Sequence, residues 1–267
     1  MKRTIGVIGC GNMGSALIRG MLGSGLVASS CLTASDSDPK RLKALSRSLG
    51  FRAASSNLRA SSADVILLAV KPQQMQEVVR EIAPALTSRS LLVSIAAGVT
   101  SRSIEQWAGA KVRVVRVMPN TPALVGAGIS AVSPGRYAQK KDVETAKKIF
   151  QCVGEVVLVS ERAINAVTAV SGSGPAYFFY LMEELIRVGV KLGLSVQVAR
   201  RLVIETAFGT GKLARLSGED PWVLRSRVTS KGGTTEAAFQ VFAQARWGDI
   251  LQRGVRAAAA RAKELSR

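Results

Sequence analysis

The sequence predicts an α/β protein in two parts, a doubly wound sheet followed by an all-helical domain. Three observations carry this expectation. A short apolar run, Ile5-Gly6-Val7-Ile8, leads straight into Gly9-Cys10-Gly11-Asn12-Met13-Gly14 and then into a helical pattern. Strand and helix patterns alternate as far as about Ser160. Beyond it no strand pattern remains, and apolar residues recur at helical spacing.

Taken in order, strand patterns fall at 4–8, 31–34, 65–70, 91–95, 113–117, 129–132 and 156–159, with a further short strand expected just before Asn57. Helical patterns lie between them at 15–23, 39–49, 73–82, 101–107 and 141–152. Such alternation implies a parallel sheet built of βαβ units. The run Val65-Ile66-Leu67-Leu68-Ala69-Val70 is apolar at every position, as a central strand covered on both faces must be. After Ser160 the helical patterns are 176–192, 196–216, 235–244 and an Ala-rich amphipathic stretch at 249–265. Gly193 before Ser195, and Gly218 before Asp220-Pro221, are helix stops followed by helix starts. Residues 1–160 are therefore expected to form one domain and 161–267 another. Phe178, Phe179, Leu181, Leu185 and Val188 offer more apolar face than a single short bundle covers, which predicts a homodimer built through the second domain.

Composition narrows the function. The chain has 267 residues, 47% of them hydrophobic. There is no histidine, which excludes a histidine base, a Ser-His-Asp triad and a histidine metal site. No metal site is expected. The first strand begins by Thr4, leaving no room for a targeting peptide, and no apolar run reaches the ~18 residues of a membrane span. Cys10, Cys31 and Cys152 show no C-x-x-C spacing, which suits a reduced, cytoplasmic setting. The formal net charge is +19, but the cations are dispersed, with no basic tail and no aromatic-interleaved patch. Neither a nucleic acid nor a membrane is expected as a partner; the basic surface draws anionic cofactors and substrates.

The glycines at 9, 11 and 14 form G-x-G-x-x-G at a strand-to-helix turn, the fingerprint of a Rossmann-type dinucleotide site. The first permits the tight turn, the second close approach to a pyrophosphate and the third helix–strand packing. With Cys10, Asn12 and Met13 they make the phosphate loop. The second strand ends in Ser35-Asp36-Ser37-Asp38. Asp36 stands where an acid would bind a ribose 2′-OH, as in NADH enzymes. Ser35 and Ser37 suit a 2′-phosphate, and Lys40 and Arg41 could neutralise it. NADH and NADPH both remain open, and Asp36 and Asp38 also read as a turn and helix cap before Pro39. Asn57 follows the third strand, either beside the adenosine or as a helix cap. Ala69, Val70, Lys71 and Pro72 end the fourth strand, and Ala96 and Ala97 follow the next, leaving room for a flat nicotinamide. Met118-Pro119-Asn120-Thr121-Pro122 forms a rigid loop at the same edge. In the helical domain, 171–175 and 230–235 are Gly-rich helix starts able to cradle a carboxylate.

Five stretches, IGVIGCGNMG, AVKPQ, RVMPNTPALVGAG, SGSGPAYFF and VTSKGGTTEAAF, resemble the pyrroline-5-carboxylate reductase family in order and across nearly the whole chain. The resemblance implies a Rossmann domain with a helical dimerisation domain. It also implies NADPH- or NADH-dependent reduction of 1-pyrroline-5-carboxylate to L-proline, the last step of proline biosynthesis, by dimers that often assemble into decamers. By motif, Gly9 to Gly14 bind pyrophosphate and Ala69 to Pro72 line the cofactor. Ser230, Gly232, Gly233, Thr234 and Thr235 hold the substrate, with Thr235 on the ring nitrogen as the catalytic residue. Two departures stand out. Lys231 replaces the family's usual Pro, and Asp36-Ser37 replaces a frequent Asn-Arg. Two rival readings have less in their favour. A β-hydroxyacid dehydrogenase needs a lysine in a Gly-rich helical context, which Lys191 and Lys212 lack; a nucleic-acid binder has only the net charge in its favour.

Overall fold

The computed structural model describes residues 3–109 and 111–266. The chain divides into two compact units, Met1–Ser173 with Ala258–Arg267, and Gly174–Ala257.

The first unit is built on eight strands: β1 Ile5–Ile8, β2 Leu32–Ser35, β3 Arg52–Ala53, β4 Val65–Leu68, β5 Leu91–Ser94, β6 Arg113–Met118, β7 Gly128–Pro134 and β8 Gly154–Leu158. Their order across the sheet is β3-β2-β1-β4-β5-β6-β7-β8. The order reverses between β1 and β4, which creates the crevice where doubly wound folds bind ligands. The intervening helices are α1 Asn12–Gly23, α2 Pro39–Leu49, α3 Asn57–Ala60, α4 Met75–Ile82, α5 Ser101–Ala108 and α6 Lys140–Gln151.

Side-chain alternation divides the core between the two sheet faces. Val65 and Leu67 pack with Leu17, Ile18 and Met21 of α1 and Ile149 and Phe150 of α6. Ile66 and Leu68 pack with Met75, Val79 and Ile82 of α4 and Ile104 of α5. This two-sided burial accounts for the uninterrupted apolar run in β4.

Two features depart from the sequence expectation. β6 and β7 pair antiparallel, whereas every other neighbouring pair is parallel. The segment 119–127 between them is too short for a right-handed crossover, which takes about a dozen residues or more, so the chain doubles back. The second departure is at 171–175. α8 Gly174–Lys191 begins within this stretch as expected, but further helical structure, α7 Ile164–Val167 and a π-turn over Thr168–Gly172, leads into it. Pro175 has no N–H to continue an α ladder, and the turn before it is of the wider π type. The Ser173 N–H instead reaches back to the Thr168 carbonyl at 2.8 Å.

The second unit contains α8, α9 Val196–Ser217, α10 Pro221–Arg227, α11 Thr234–Gln244 and the start of α12 Trp247–Leu265. α8 and α9 cross closely at Gly189, where an added Cβ would stand 3.2 Å from the Cβ of Ala199. Their apolar faces are open: Phe178 is 66%, Phe179 62% and Phe208 67% exposed in the single chain. Among the described residues no helix is long and apolar enough to cross a membrane.

Candidate active site

The carboxyl edge of the first unit's sheet gathers most of the residues singled out in the sequence. β1 ends in Gly9, whose φ of +98° and position under Ala69 (an added Cβ would lie 2.6 Å from its carbonyl oxygen) admit only glycine. At Gly14 a Cβ would overlap the Gly9 carbonyl. Gly11 differs, since its Cβ position faces open space, with the Arg41 Nη1 at 3.8 Å as its nearest neighbour. α1 starts at Asn12, three residues earlier than its hydrophobic pattern indicates. The N–H groups of Asn12, Met13 and Gly14 therefore lie in a first helical turn without intrahelical acceptors. The loop offers an anion unpaired amides, the helix dipole and room for close approach, and so fits a pyrophosphate.

The end of β2 is tied to this loop. Gly9 N–H donates to the Ser35 carbonyl at 2.9 Å, and Cys10 N–H donates to Asp36 Oδ2 at 2.5 Å. Asp36 Oδ1 accepts the Asp38 N–H at 2.7 Å. Asp38 is the cap of α2, accepting from the N–H groups of Lys40 and Arg41 at 3.0 and 3.1 Å. Ser35 is buried and donates through Oγ to Asn57 Oδ1 at 2.8 Å, while Asn57 Nδ2 donates to Glu81 at 2.7 Å. Ser56, not Asn57, caps α3. Ser37 is exposed. The Cys10 thiol lies in the core, where burial and the Asp36 charge push its pKa to about 12. It is a packing residue with no nucleophilic character at neutral pH.

At the neighbouring strand ends, Ala69 N–H donates to the Ile8 carbonyl, and Lys71 and Pro72 are exposed at the start of a 3₁₀ turn. Ala96 is buried, with its N–H on Ser94 Oγ at 3.3 Å, and Ala97 is half-buried. Three relationships were not apparent from sequence. An added Cβ on Gly98, whose φ is +77°, would stand 2.7 Å from the Leu265 carbonyl at the end of α12. Asn120 accepts from the Ile129 N–H at 2.9 Å and donates to Ser171 at 3.5 Å, so the π-turn rests on the end of β6. The Arg41 guanidinium is held over the phosphate loop by Asp38 at 3.1 Å and Asp36 at 3.9 Å. Only the last had a signal in the sequence, the i, i+3 spacing of Asp38 and Arg41 in a first helical turn.

The second unit holds the 230–235 segment. Gly233 N–H donates to the Ser230 carbonyl at 3.0 Å, and Gly232 has φ +75°. This is a β-turn whose third position is left-handed, so glycine is favoured there. Lys231 takes the second position, which proline also suits. Gly232 N–H is already bound to the Glu236 carboxylate at 2.7 Å. The amides left for a ligand are therefore those of Thr234, Thr235 and Glu236, the first turn of α11. The Thr235 side chain is half-buried beside them. α11 is anchored from behind: the Arg225 guanidinium stacks 5.1 Å over Phe239, and Phe239 meets Phe242 edge-on at 5.7 Å.

Comparison with known proteins agrees with both halves. Residues 4–98 match the model for NADP oxidoreductase, coenzyme F420-dependent, and residues 161–265 match the model for pyrroline-5-carboxylate reductase dimerisation. A pyrroline-5-carboxylate reductase of Pseudomonas aeruginosa is 41% identical over 264 residues, covering 98% of this chain and 96% of the relative. The chain belongs to the pyrroline-5-carboxylate reductase family. Solved pyrroline-5-carboxylate reductases share its fold over their full lengths. That from Coxiella burnetii superposes with a TM-score of 0.94 at 35% identity, covering 100% of both chains. That from Plasmodium falciparum, determined with NADP bound, gives 0.89 at 30% identity and covers 100% of this chain and 99% of its own.

Proposed function

We propose that this chain reduces the cyclic imine 1-pyrroline-5-carboxylate to L-proline with NADPH or NADH, the last step of proline biosynthesis. The observation that carries the reading is the near full-length relationship to reductases of that name. The structural support is the pair of anion-binding helix starts, one at 9–14 and the other at 230–235.

When bound, the reduced nicotinamide supplies the hydride. The protein's part is to hold and orient. Gly9, Cys10, Gly11, Asn12, Met13 and Gly14 form the pyrophosphate site: Gly9 and Cys10 shape the turn, their N–H groups being committed to Ser35 and Asp36, and the amides from Gly11 to Gly14 face the anion. Residues 35–37, Asn57, 69–72, Ala96 and Ala97 line the rest of the cofactor. Ser35 and Asn57 act indirectly, because each spends its polar group on a neighbour.

The substrate carboxylate takes the free amides at the start of α11. Gly232 and Gly233 shape the turn, and Ser230 closes it. The Thr235 hydroxyl holds the ring nitrogen. An imine nitrogen is basic enough to be substantially protonated near neutral pH, so the step needs orientation and electrostatics more than a strong general acid. A chain without histidine can meet that requirement.

Functionally, 1–160 is the dinucleotide-binding domain and 161–267 the dimerisation and substrate domain, a division that the span of the dimerisation model supports. The protein is a homodimer whose second unit supplies the open apolar faces of α8 and α9. Assembly of dimers into a decamer, implied by the family resemblance, and a cytoplasmic location, suited to three free thiols, complete the proposal.

The test is oxidation of NADPH or NADH in the presence of pyrroline-5-carboxylate, beside reduction of the oxidised cofactor by 3-hydroxyisobutyrate. Turnover of the imine alone supports the proposal. Turnover of the hydroxyacid alone replaces it with a hydroxyacid dehydrogenase. Light scattering of the purified protein reads the assembly.

A further inference from the structure

Resting on the dinucleotide reading above, we infer that Arg41 is the residue that recognises a 2′-phosphate on the adenosine ribose, and that it makes this reductase prefer NADPH. The arrangement at the end of β2 points away from the alternative. An acid that selects NADH must turn its oxygens to the ribose hydroxyls. Asp36 does not: its side chain is 5% exposed, and each oxygen already accepts a backbone N–H, from Cys10 at 2.5 Å and from Asp38 at 2.7 Å. Its role is to fasten the phosphate loop to the second strand. Ser35 is also withdrawn, since its hydroxyl is buried and committed to Asn57.

What faces outward there is basic. The Arg41 side chain is 48% exposed, and its Nη1 is the nearest group to the open Cβ position of Gly11. It therefore stands at the mouth of the phosphate loop, on the side where the chain passes from β2 into α2. An adenosine ribose attached to a pyrophosphate in that loop must lie over the same strand end. Asp38 takes one Nη2 hydrogen bond and fixes the guanidinium. Among the described residues its remaining N–H groups make no hydrogen bond, and Asp36 stays at 3.9 Å.

The charges facing this point are Asp36, Asp38, Lys40 and Arg41, with Glu81 behind Asn57. Asp36 and Asp38 are each compensated by two backbone N–H groups. A dianionic phosphate thus meets a pre-oriented guanidinium with free donors, the Lys40 ammonium and the positive end of α2. Position 37, where the family pattern often carries Arg, is Ser here. Arg41 supplies the same chemistry from the first turn of the helix.

Calorimetric titration of the whole protein with 2′,5′-ADP and with 5′-AMP tests this without turnover. The two ligands differ only in the 2′-phosphate. Wild type should bind 2′,5′-ADP about tenfold or more tightly than 5′-AMP, a preference that shrinks as salt is raised. Arg41→Ala should remove most of the ratio, while Arg41→Lys, which keeps the charge without the planar fork, should retain part of it. Ser37→Arg introduced into Arg41→Ala should restore the ratio; a purely structural role for Arg41 would not be rescued in this way. Circular dichroism confirms that each variant is folded. An unchanged ratio in both Arg41 variants overturns the inference, as does a wild type that binds the two ligands equally, and the dinucleotide reading survives either result. If neither ligand nor NADPH nor NADH binds wild type, the dinucleotide reading falls with it.

Discussion

Arg116 of β6 and Glu161, which follows β8, form an ion pair at 3.4 Å in which the guanidinium is almost wholly buried. The same carboxylate accepts the backbone N–H of Ser101 at 2.7 Å and its hydroxyl at 2.6 Å. One side chain therefore neutralises a buried cation and satisfies the first N–H of α5, whose cap is Thr100. Burial pulls the Arg116 pKa down and the Glu161 charge opposes that shift. Among the described residues the Arg116 Nη2 has no hydrogen-bond partner, so Glu161 alone compensates the guanidinium.

Removing Glu161 should accordingly be costly. Glu161→Ala should destabilise the protein by about 3 kcal/mol, because it strands a buried charge and leaves the Ser101 N–H without its acceptor. Arg116→Met combined with Glu161→Gln should cost clearly less than Glu161→Ala alone, since no uncompensated charge is left behind. Urea denaturation of the three proteins measures both differences, and equal losses would refute this account of the pair.

Asp36 should matter to the cofactor through the loop it holds. Asp36→Ala removes two hydrogen bonds to a carboxylate, each worth about 1.5–3 kcal/mol. Weaker binding of both NADPH and NADH, by about tenfold or more, is expected together with a lower Tm. Titration of the two cofactors is the check. A selective loss of NADH binding would instead mean that Asp36 reads the ribose.

Thr235→Val keeps the shape of the side chain and deletes the hydroxyl. If that hydroxyl tightens on the ring nitrogen in the transition state, kcat/KM for the imine should fall by about 10²-fold with little change in cofactor affinity. Steady-state kinetics at saturating cofactor settle the matter; an unaltered kcat/KM removes Thr235 from the chemistry.

Cys10 should give stability an alkaline edge. Its pKa rises from the ordinary 9.0 to about 12 on folding, so between those values the native state holds a proton that the unfolded chain has lost. Its contribution is complete below pH 9.0 and declines as pH climbs toward about 12. Denaturation midpoints of wild type and Cys10→Ala, compared at about pH 8 and about pH 10.5, should diverge in pH dependence, wild type losing more. Parallel curves would contradict this origin of the effect.

Much of the fold was visible in the residues themselves. β4 announced itself because a strand covered on both faces carries apolar residues at every position. The direction of β7 was not visible, because Ile129 to Val132 read the same either way; the brevity of 119–127 decides it. At 171–175 the start of α8 was visible and the helical structure before it was not, for a physical reason. Gly and Pro punctuate both a helix start and a break within a helix, and only the Ser173–Thr168 hydrogen bond distinguishes them. At the site, glycine spacing marked the phosphate loop, since sterics at Gly9 and Gly14 leave no alternative residue. Nothing in the spacing of Asp36 told whether its oxygens would turn to a ligand or to Cys10, because that choice depends on a contact across 26 residues.

Gly98 and the backbone of Leu265 are so closely apposed that only glycine fits at position 98. A methyl group at 98 would have to displace the last turn of α12, and a shift of that turn would release the bend that follows β5. The far end of the chain thus decides which residue position 98 can hold.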